Sequence, residues 1–492
     1  MSMISMRMHQ QVLTIYSYDF EARLESMTSN DKVAVAFGKV AARTIRILGA
    51  GLGSNLPGRV ARKLAPDVLS HLAGQSKKGV IAVTGTNGKS TTSGLLSSVL
   101  KTAGFTLIHN RQGANLVTGI TATLVDAASW DGHINTDYCL FEIDEAALPL
   151  VAKETTLSVV VVTNLFRDQL DRFGELDTTA KLIEKGITTC KSPAILNADD
   201  PNVCQLVPEN TRLFFGLDAA FCEVDSQKLQ DESNPDCSQS MELSYCLKCG
   251  SEIVYDCFFY GQLGHWRCSS CSYKRPDPTI VATHIQLHAA NSRFKLTDKR
   301  QNLSVEVKLP IPGLFNVYNA LAAAACAVKL GVTLESIKQG LQNYSTLFGR
   351  SEKISLLGKP VLIQLIKNPA GASQTVKAVV EDSTARVLIA INDNLADGRD
   401  ISWLWDADFE PLKAVKGTVI VSGLRADDMA VRMKYAGVEP ERIICVPKLE
   451  RALRQALNDT SPDETLWVLP TYTCLLELQK IVKTMGQSLA GT

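Results

Sequence analysis

The chain has 492 residues, with 51 Lys plus Arg against 51 Asp plus Glu, so its formal charge is zero. At about 100–200 residues per domain this length corresponds to about three domains and excludes a single small module. The charge balance leaves no overall basic excess for a phosphate backbone, which excludes general nucleic-acid binding, and 45% hydrophobic with 21% charged residues exclude a disordered chain.

Met1 to Asp31 is polar and irregular, with four Met among its first eight residues, and reads as a poorly ordered extension. No charged segment with an unbroken apolar run and a small-residue cleavage site follows, so no signal peptide is expected. Val33 to Leu48 is interrupted by Lys39, Arg43 and Arg46 and falls short of the roughly 20 apolar residues of a membrane span. The expected compartment is the cytoplasm. Those three cations fall at i, i+4 and i+7, on a helix face opposite Val35, Val40, Ile45 and Leu48. Two readings stay open: a helix packed on the next domain, or a surface touching anionic headgroups.

From Gly79 the pattern turns to strand, glycine loop and helix. Val80 to Val83 is an apolar run, and Leu95, Leu96, Val99 and Leu100 recur at helical spacing. Cys139 to Phe141, Val159 to Val162 and Ala194 to Leu196 are further continuous runs, as strands covered on both faces should be. The fold class is therefore α/β with a mostly parallel sheet. Between the first strand and helix lies Gly85-Thr86-Asn87-Gly88-Lys89-Ser90-Thr91. The backbone N–H groups of such a loop cradle phosphate oxygens, Lys89 reaches the terminal phosphates, and the Ser90 hydroxyl binds Mg²⁺. Val83 stands where the general pattern has its first glycine. Glu142 and Asp144, just past a strand end, are candidates for further Mg²⁺ ligation, and Asn197-Ala198-Asp199-Asp200-Pro201 is a turn by composition.

A polar stretch from Asp231 to Gln239 leads into a cysteine-rich insertion, about 240–278. Cys246-x₂-Cys249 and Cys268-x₂-Cys271 are separated by 18 residues, the spacing of a four-thiolate zinc ribbon with a closed, structural site. Thirteen cysteines without a secretory signal are expected as thiols and metal ligands rather than a disulfide framework, with Cys257 in the core. The Pro/Gly hinge from Leu309 to Gly313 precedes an Ala-rich helix from Asn316 to Leu330, which places a central domain at 32–308 and a second α/β domain at 309–492. After an apolar run at Val387 to Ile391 comes an acidic Gly/Asn segment with Asp393, Asp397 and Asp400, by composition a plain turn.

Taken together these pieces resemble the Mur ligase family of ATP-dependent enzymes that join a carboxylate to an amine. The phosphate loop GTNGKST, EIDE at Glu142 to Glu145, NADD at Asn197 to Asp200 and FNVYNALAAAA from Phe315 look like the family's phosphate loop, magnesium-binding carboxylates, adenine-side motif and C-terminal domain start. Only 84 residues precede the loop, fewer than a complete N-terminal nucleotide-sugar-binding domain requires, so none is expected. With the four-cysteine insertion and the INDNLADGRDISWLWDADFE segment, the chain is most similar to the MurT-type branch of the family. That resemblance implies a Rossmann-like C-terminal domain, ATP, Mg²⁺ and a GatD-type glutaminase partner. It also implies amidation of the D-glutamate α-carboxylate of lipid II through an acyl phosphate, at the inner face of the membrane. It assigns ATP contacts to Gly85 through Thr91, Asn197, Asp199 and Arg350, and makes Asp400 the acid completing the partner's Cys–His pair. Gln169 stands where many relatives have a metal-binding histidine, Lys367 where a histidine is common, and Lys181 and Lys185 are candidates for the modified lysine of many relatives. Two other readings remain: an amino-acid ligase akin to folylpolyglutamate synthases, marked by amino-acid-driven ATP turnover, and a non-catalytic nucleotide-binding module.

Overall fold

The computed structural model describes residues 27–47, 55–110, 113–166, 176–207, 211–218, 245–288, 291–345 and 350–490. Most of the expected extension and the segment holding Gln169 lie outside the described residues. The chain begins with α1 (Ser29–Ile47), α2 (Leu56–Leu64), α3 (Val68–Ala73), β1 (Gly79–Thr84), α4 (Lys89–Thr102), β2 (Leu107–His109) and α5 (Val117–Ala127). It continues through β3 (Tyr138–Glu142), α6 (Leu148–Glu154), β4 (Leu157–Val162), α7 (Leu176–Cys190), β5 (Ala194–Asn197), α8 (Pro201–Cys204) and β6 (Arg212–Leu217). Next come β7 (Ile253–Tyr260), β8 (Leu263–Cys268), β9 (Ile280–His288), β10 (Asn291–Asp298), β11 (Leu303–Leu309), α9 (Leu314–Lys329) and α10 (Leu334–Gln342). The C-terminal part holds β12 (Arg350–Leu356), β13 (Lys359–Gln364), α11 (Pro369–Glu381), β14 (Ala385–Ala390), α12 (Trp403–Asp406) and β15 (Val419–Ser422). Then α13 (Ala426–Tyr435), β16 (Ile443–Cys445), α14 (Leu449–Asp459), β17 (Thr465–Pro470) and α15 (Tyr472–Ala490) close the chain.

These elements form two compact units. The first holds the described residues up to Thr84, then Gly104–Val160 and Lys185–Pro193. Its strands β1, β3 and β2 run parallel in that spatial order. Val80, Ile81, Ala82 and Val83 are buried without interruption, since a parallel strand has a covered face on each side. α1 starts at Ser29, and Asp31 is buried with its carboxylate accepting the Thr28 N–H and meeting the His71 ring, so Ser29 to Asp31, expected in the extension, are helical. Only part of the helix-face expectation for α1 holds: Val35 is buried but Val40 is exposed. Five residues apart, the two lie about 140° from each other around the helix and cannot share one face; the covered arc centres on Ala34, Val35 and Gly38, where a Cβ on Gly38 would meet Val125, Pro57 and Ala61.

The second unit holds the phosphate loop and α4, residues 161–184, and everything from Ala194 onward. Here β5, β6 and β9 are parallel, and β9, β10 and β11 continue antiparallel. The Ala-rich α9 packs on α4, β5, β6 and β9; its alanines let it lie close enough that Asn316 through Ala327 are all buried. A separate six-stranded sheet has the order β12-β13-β17-β14-β15-β16, parallel except for the β12–β13 pair. Alternate residues serve its two faces: Val387 and Ile389 pack with Met429, Met433 and Trp403, and Leu388 and Ala390 with Leu453, Leu457 and Leu478. Helices on both faces of a parallel sheet make this a doubly wound, Rossmann-like layer. No helix among the described residues is long and apolar enough to cross a membrane.

Candidate functional site

The turn from β1 into α4 demands glycine twice. Gly85 and Gly88 have φ of +118° and +82°, and a Cβ would fall 2.4 Å from Thr163 Oγ1 at Gly85 and 2.0 Å from Asn319 Oδ1 at Gly88, so a side chain fails on both strain and space. The β4 exit clamps the loop. Thr86 N–H donates to Asn164 O (2.9 Å), Asn87 N–H to Asn164 Oδ1 (2.9 Å), and Thr163 Oγ1–H to Asn87 O (2.7 Å). Lys89 folds back to donate from Nζ to Gly85 O (2.5 Å) and Thr86 O (3.3 Å), which holds its ammonium over the loop. Ser90 and Thr91 sit in the first turn of α4, whose positive helix end favours anions.

Asn87 also exchanges two amide hydrogen bonds with Asn368, at 3.2 and 2.9 Å. Asn368 in turn caps α11 by accepting the Gly371 N–H, so the loop is tied to a second helix N-terminus. A cleft of about 690 Å³, open mouth included, lies here, lined by Asn87, Gly88, Thr91, Asn319, Lys367 and Asn368 among others.

In the first unit, Glu142 pairs in register with Val83 on β1, two residues before the loop begins. Its N–H donates to Asn110 Oδ1 (2.8 Å) and its carbonyl accepts from Asn110 Nδ2 (2.7 Å). Glu142 is 7% exposed and its side chain takes part in no hydrogen bond among the described residues, which leaves a largely buried acid whose carboxylate fits a cation.

Asn197 and Asp199 are wholly buried and committed to protein partners. Asn197 Nδ2 donates to Thr163 O (3.2 Å). Asp199 accepts from Arg275 Nε (2.6 Å), Leu217 N–H (2.8 Å) and the Tyr318 hydroxyl (2.7 Å). Asp200 beside it caps α8 and accepts from Leu165 N–H and Gln262 Nε2; burial pushes its carboxyl up to about 6. Arg350 opens β12 opposite Gln364. Lys181 and Lys185 are both exposed on α7.

The β7–β8 hairpin brings all four expected thiols together, every Sγ within 4.8 Å of the others. Two Sγ···Sγ separations, 3.7 Å for Cys246–Cys271 and 3.4 Å for Cys249–Cys268, lie near the edge of about 3.8 Å that Zn–S bonds of about 2.3 Å generate in a tetrahedron. Backbone N–H groups of Lys248, Ser270, Cys271 and Tyr273 point at these sulfurs, which favours thiolates. The donor set fits a closed four-sulfur metal site. The hairpin is anchored through Trp266 Nε1 to Ala198 O, the Tyr273 hydroxyl to Pro201 O, and Arg275 to Asp199. Cys257 departs from the expectation of a core thiol: it is half-buried and disulfide-bonded.

Of the three acids after β14, Asp393 is paired with Arg425 (2.6 Å), and Asp397 is buried against Thr473, accepting its N–H at 2.7 Å. Asp400 is half-buried, with Oδ1 accepting the Ser402 N–H (2.8 Å).

The Mur ligase middle domain family matches residues 83–245 and 255–327, and the MurT ligase C-terminal family matches 365–475. The chain is 37% identical over 447 residues to the lipid II isoglutaminyl synthase (glutamine-hydrolyzing) subunit MurT of Staphylococcus aureus strain N315, covering 90% of this chain and 95% of that one. To the subunit of the same name from Streptococcus pneumoniae it is 34% identical, covering 88% and 93%. The chain belongs to the MurT family. A solved pseudomurein peptide ligase type C from Methanothermus fervidus shares the fold, with a TM-score of 0.62 at 23% identity over 83% of this chain and 79% of that one.

In this MurT-family chain, sequence reasoning missed the Asn87–Asn368 pair and the grip of Arg275, Tyr318 and Gln262 on the NADD turn. Asn-Pro in IKNPAG carried a signal for Asn368, because Asn before Pro reads as a helix cap. Arg275 and Tyr318, which lie 76 and 119 residues from Asp199, carried none.

Proposed function

We propose that this chain is the synthetase subunit of a lipid II isoglutaminyl synthase, amidating the D-glutamate α-carboxylate of the lipid II stem peptide. The similarity to named MurT subunits across nine-tenths of the chain carries the reading, and the phosphate loop supplies matching chemistry. Bound ATP with Mg²⁺ provides the phosphoryl group that turns the substrate carboxylate into an acyl phosphate, with ADP leaving. Ammonia then attacks the acyl carbon, the C–N bond forms, phosphate departs, and a proton is lost from nitrogen.

The chain's own residues divide the work. Backbone N–H groups from Gly85 to Thr91 hold phosphate oxygens, and Lys89 offsets charge on the transferred group. Ser90 and Glu142 hold Mg²⁺, while Asn197 and Asp199 shape the adenine side by fixing the turn around them. Arg350 contributes near the phosphates. Cys246, Cys249, Cys268 and Cys271 hold a structural Zn²⁺ that closes the ribbon.

Ammonia comes from a GatD-type glutaminase seated on the C-terminal domain. Asp400 orients its imidazole; of the three local acids, Asp393 is taken up by Arg425 and Asp397 is buried against Thr473. Leu395, Leu424, Trp405 and Tyr435 are exposed in the same domain and support a docking face there. The test is mass spectrometry of lipid II after incubation with the purified chain, Mg²⁺, ATP and ammonium, and separately with glutamine and the partner. Carboxylate-to-amide exchange is expected in both and absent in Lys89→Ala. No exchange, or wild-type exchange in Lys89→Ala, refutes the assignment.

A further inference from the structure

From Lys32 to Pro66 the sequence holds seven Lys and Arg and no Asp or Glu, a local basic excess in a chain with no net charge. This stretch supplies α1 and α2, and one side of α1 is covered by α2 and α5. The other side is not polar in the way an exposed helix face should be. Val33, Phe37 and Val40 are 47%, 57% and 52% exposed, and their spacing of i, i+4 and i+7 puts them on one line. Along the adjoining line, at i, i+7 and i+11, lie Lys32, Lys39 and Arg43. The last two rise over the ring of Trp130, at 5.8 and 4.9 Å from its centroid, and that indole is itself 49% exposed.

We propose that the outer face of α1, with Trp130 at its border, seats the enzyme on an anionic lipid bilayer. An apolar line flanked by cations and an amphipathic indole is the composition of a helix lying in a membrane interface, the apolar side chains entering the acyl boundary and the cations meeting phosphate headgroups. Nucleic acid matches the cations but leaves the valines and phenylalanine unused. A second copy would bring two like-charged rows together around a short apolar line. The inference deepens the proposed function and rests on it for its purpose: a lipid-linked substrate never leaves the bilayer, so an enzyme held at that surface searches two dimensions rather than three.

The test is flotation of the full chain with vesicles of phosphatidylcholine, with and without phosphatidylglycerol. Retention is expected on the anionic vesicles alone, falling with added salt. The pairs Phe37→Asp/Val40→Asp and Lys32→Glu/Arg43→Glu should each lower it by about tenfold or more, with the melting temperature unchanged in the first pair and only slightly lowered in the second, which loses the exposed Arg43–Trp130 contact. No retention on anionic vesicles, equal retention in both variants, or a wild-type dimer that the variants turn into monomer overturns the proposal. Amidation of a short-chain, water-soluble lipid II analogue without vesicles is measured in parallel. It should survive in both variants, and its absence from the wild type as well would count against the proposed reaction while leaving the vesicle result intact.

Discussion

Asp199→Asn separates a structural pivot from a ligand contact. The wild-type carboxylate is fully buried, 2.6 Å from an Arg275 guanidinium that is only 13% exposed, and it also accepts from Leu217 N–H and the Tyr318 hydroxyl. The amide has nearly the same shape but one acceptor oxygen, so its NH₂ must face at least one of three donors, and the guanidinium loses its counter-charge. Removing one partner of a buried ion pair costs about 3–5 kcal/mol. For a cooperative unit of 150–250 residues, each kcal/mol moves the melting temperature by about 2–4 °C, so a fall of about 6–20 °C is expected. Tyr318→Phe removes one hydroxyl bond to the same carboxylate and should fall less, since a hydrogen bond to a charged group contributes about 1.5–3 kcal/mol. Thermal melts with and without ATP provide the readout. A melt for Asp199→Asn within about 2 °C of wild type, combined with a large loss of ATP affinity, would refute the pivot and make Asp199 a direct nucleotide contact.

Three further outcomes follow from the same geometry. Burial raises Asp200 to about 6, above its unfolded value, so the folded chain takes up a proton first; its contribution grows as pH falls from about 6 to about 4 and is lost as pH rises through 6. Melting temperatures across that window should lose this component in Asp200→Asn, and parallel wild-type and variant profiles would exclude it. Asp400→Asn should abolish glutamine-driven amidation and spare ammonium-driven amidation; an equal loss of both would move Asp400 into the synthetase site. Metal analysis should find about one zinc per chain, with Cys249→Ser losing it and melting earlier; a metal-free wild type of full stability would contradict a structural zinc.

The parallel strands were legible because both of their faces are covered, which makes Val80 to Val83 and Val387 to Ile391 continuous apolar runs. The loop was legible because its two glycines and lysine must stand at fixed spacing, and the four-cysteine cluster because four sulfurs that share a metal must converge on one point. The covered side of α1 was misread: Val35 and Val40 lie about 140° apart around a helix, so only one of them could face the neighbours. The partners of Asp199 were not legible for a related reason. Its neighbours in sequence describe a turn, while what it does is set by Arg275 and Tyr318, whose arrival depends on the path of the whole chain. Cys257 shows the same limit, since compartment arguments describe an average cysteine and not one position in a hairpin.

The amide exchange between Asn87 and Asn368 spans 281 residues, and this gives the phosphate loop a history as well as a geometry. On a ribosome adding about 5–20 residues per second, Asn368 is made about 14–56 s after Asn87. During that interval the residues of the strand, the turn and α4 have already been made, but Asn87 has no Asn368 to meet. The nascent enzyme therefore completes its phosphate loop only when translation has passed β13, and a chain stopped before that point would carry the full motif without its finished loop.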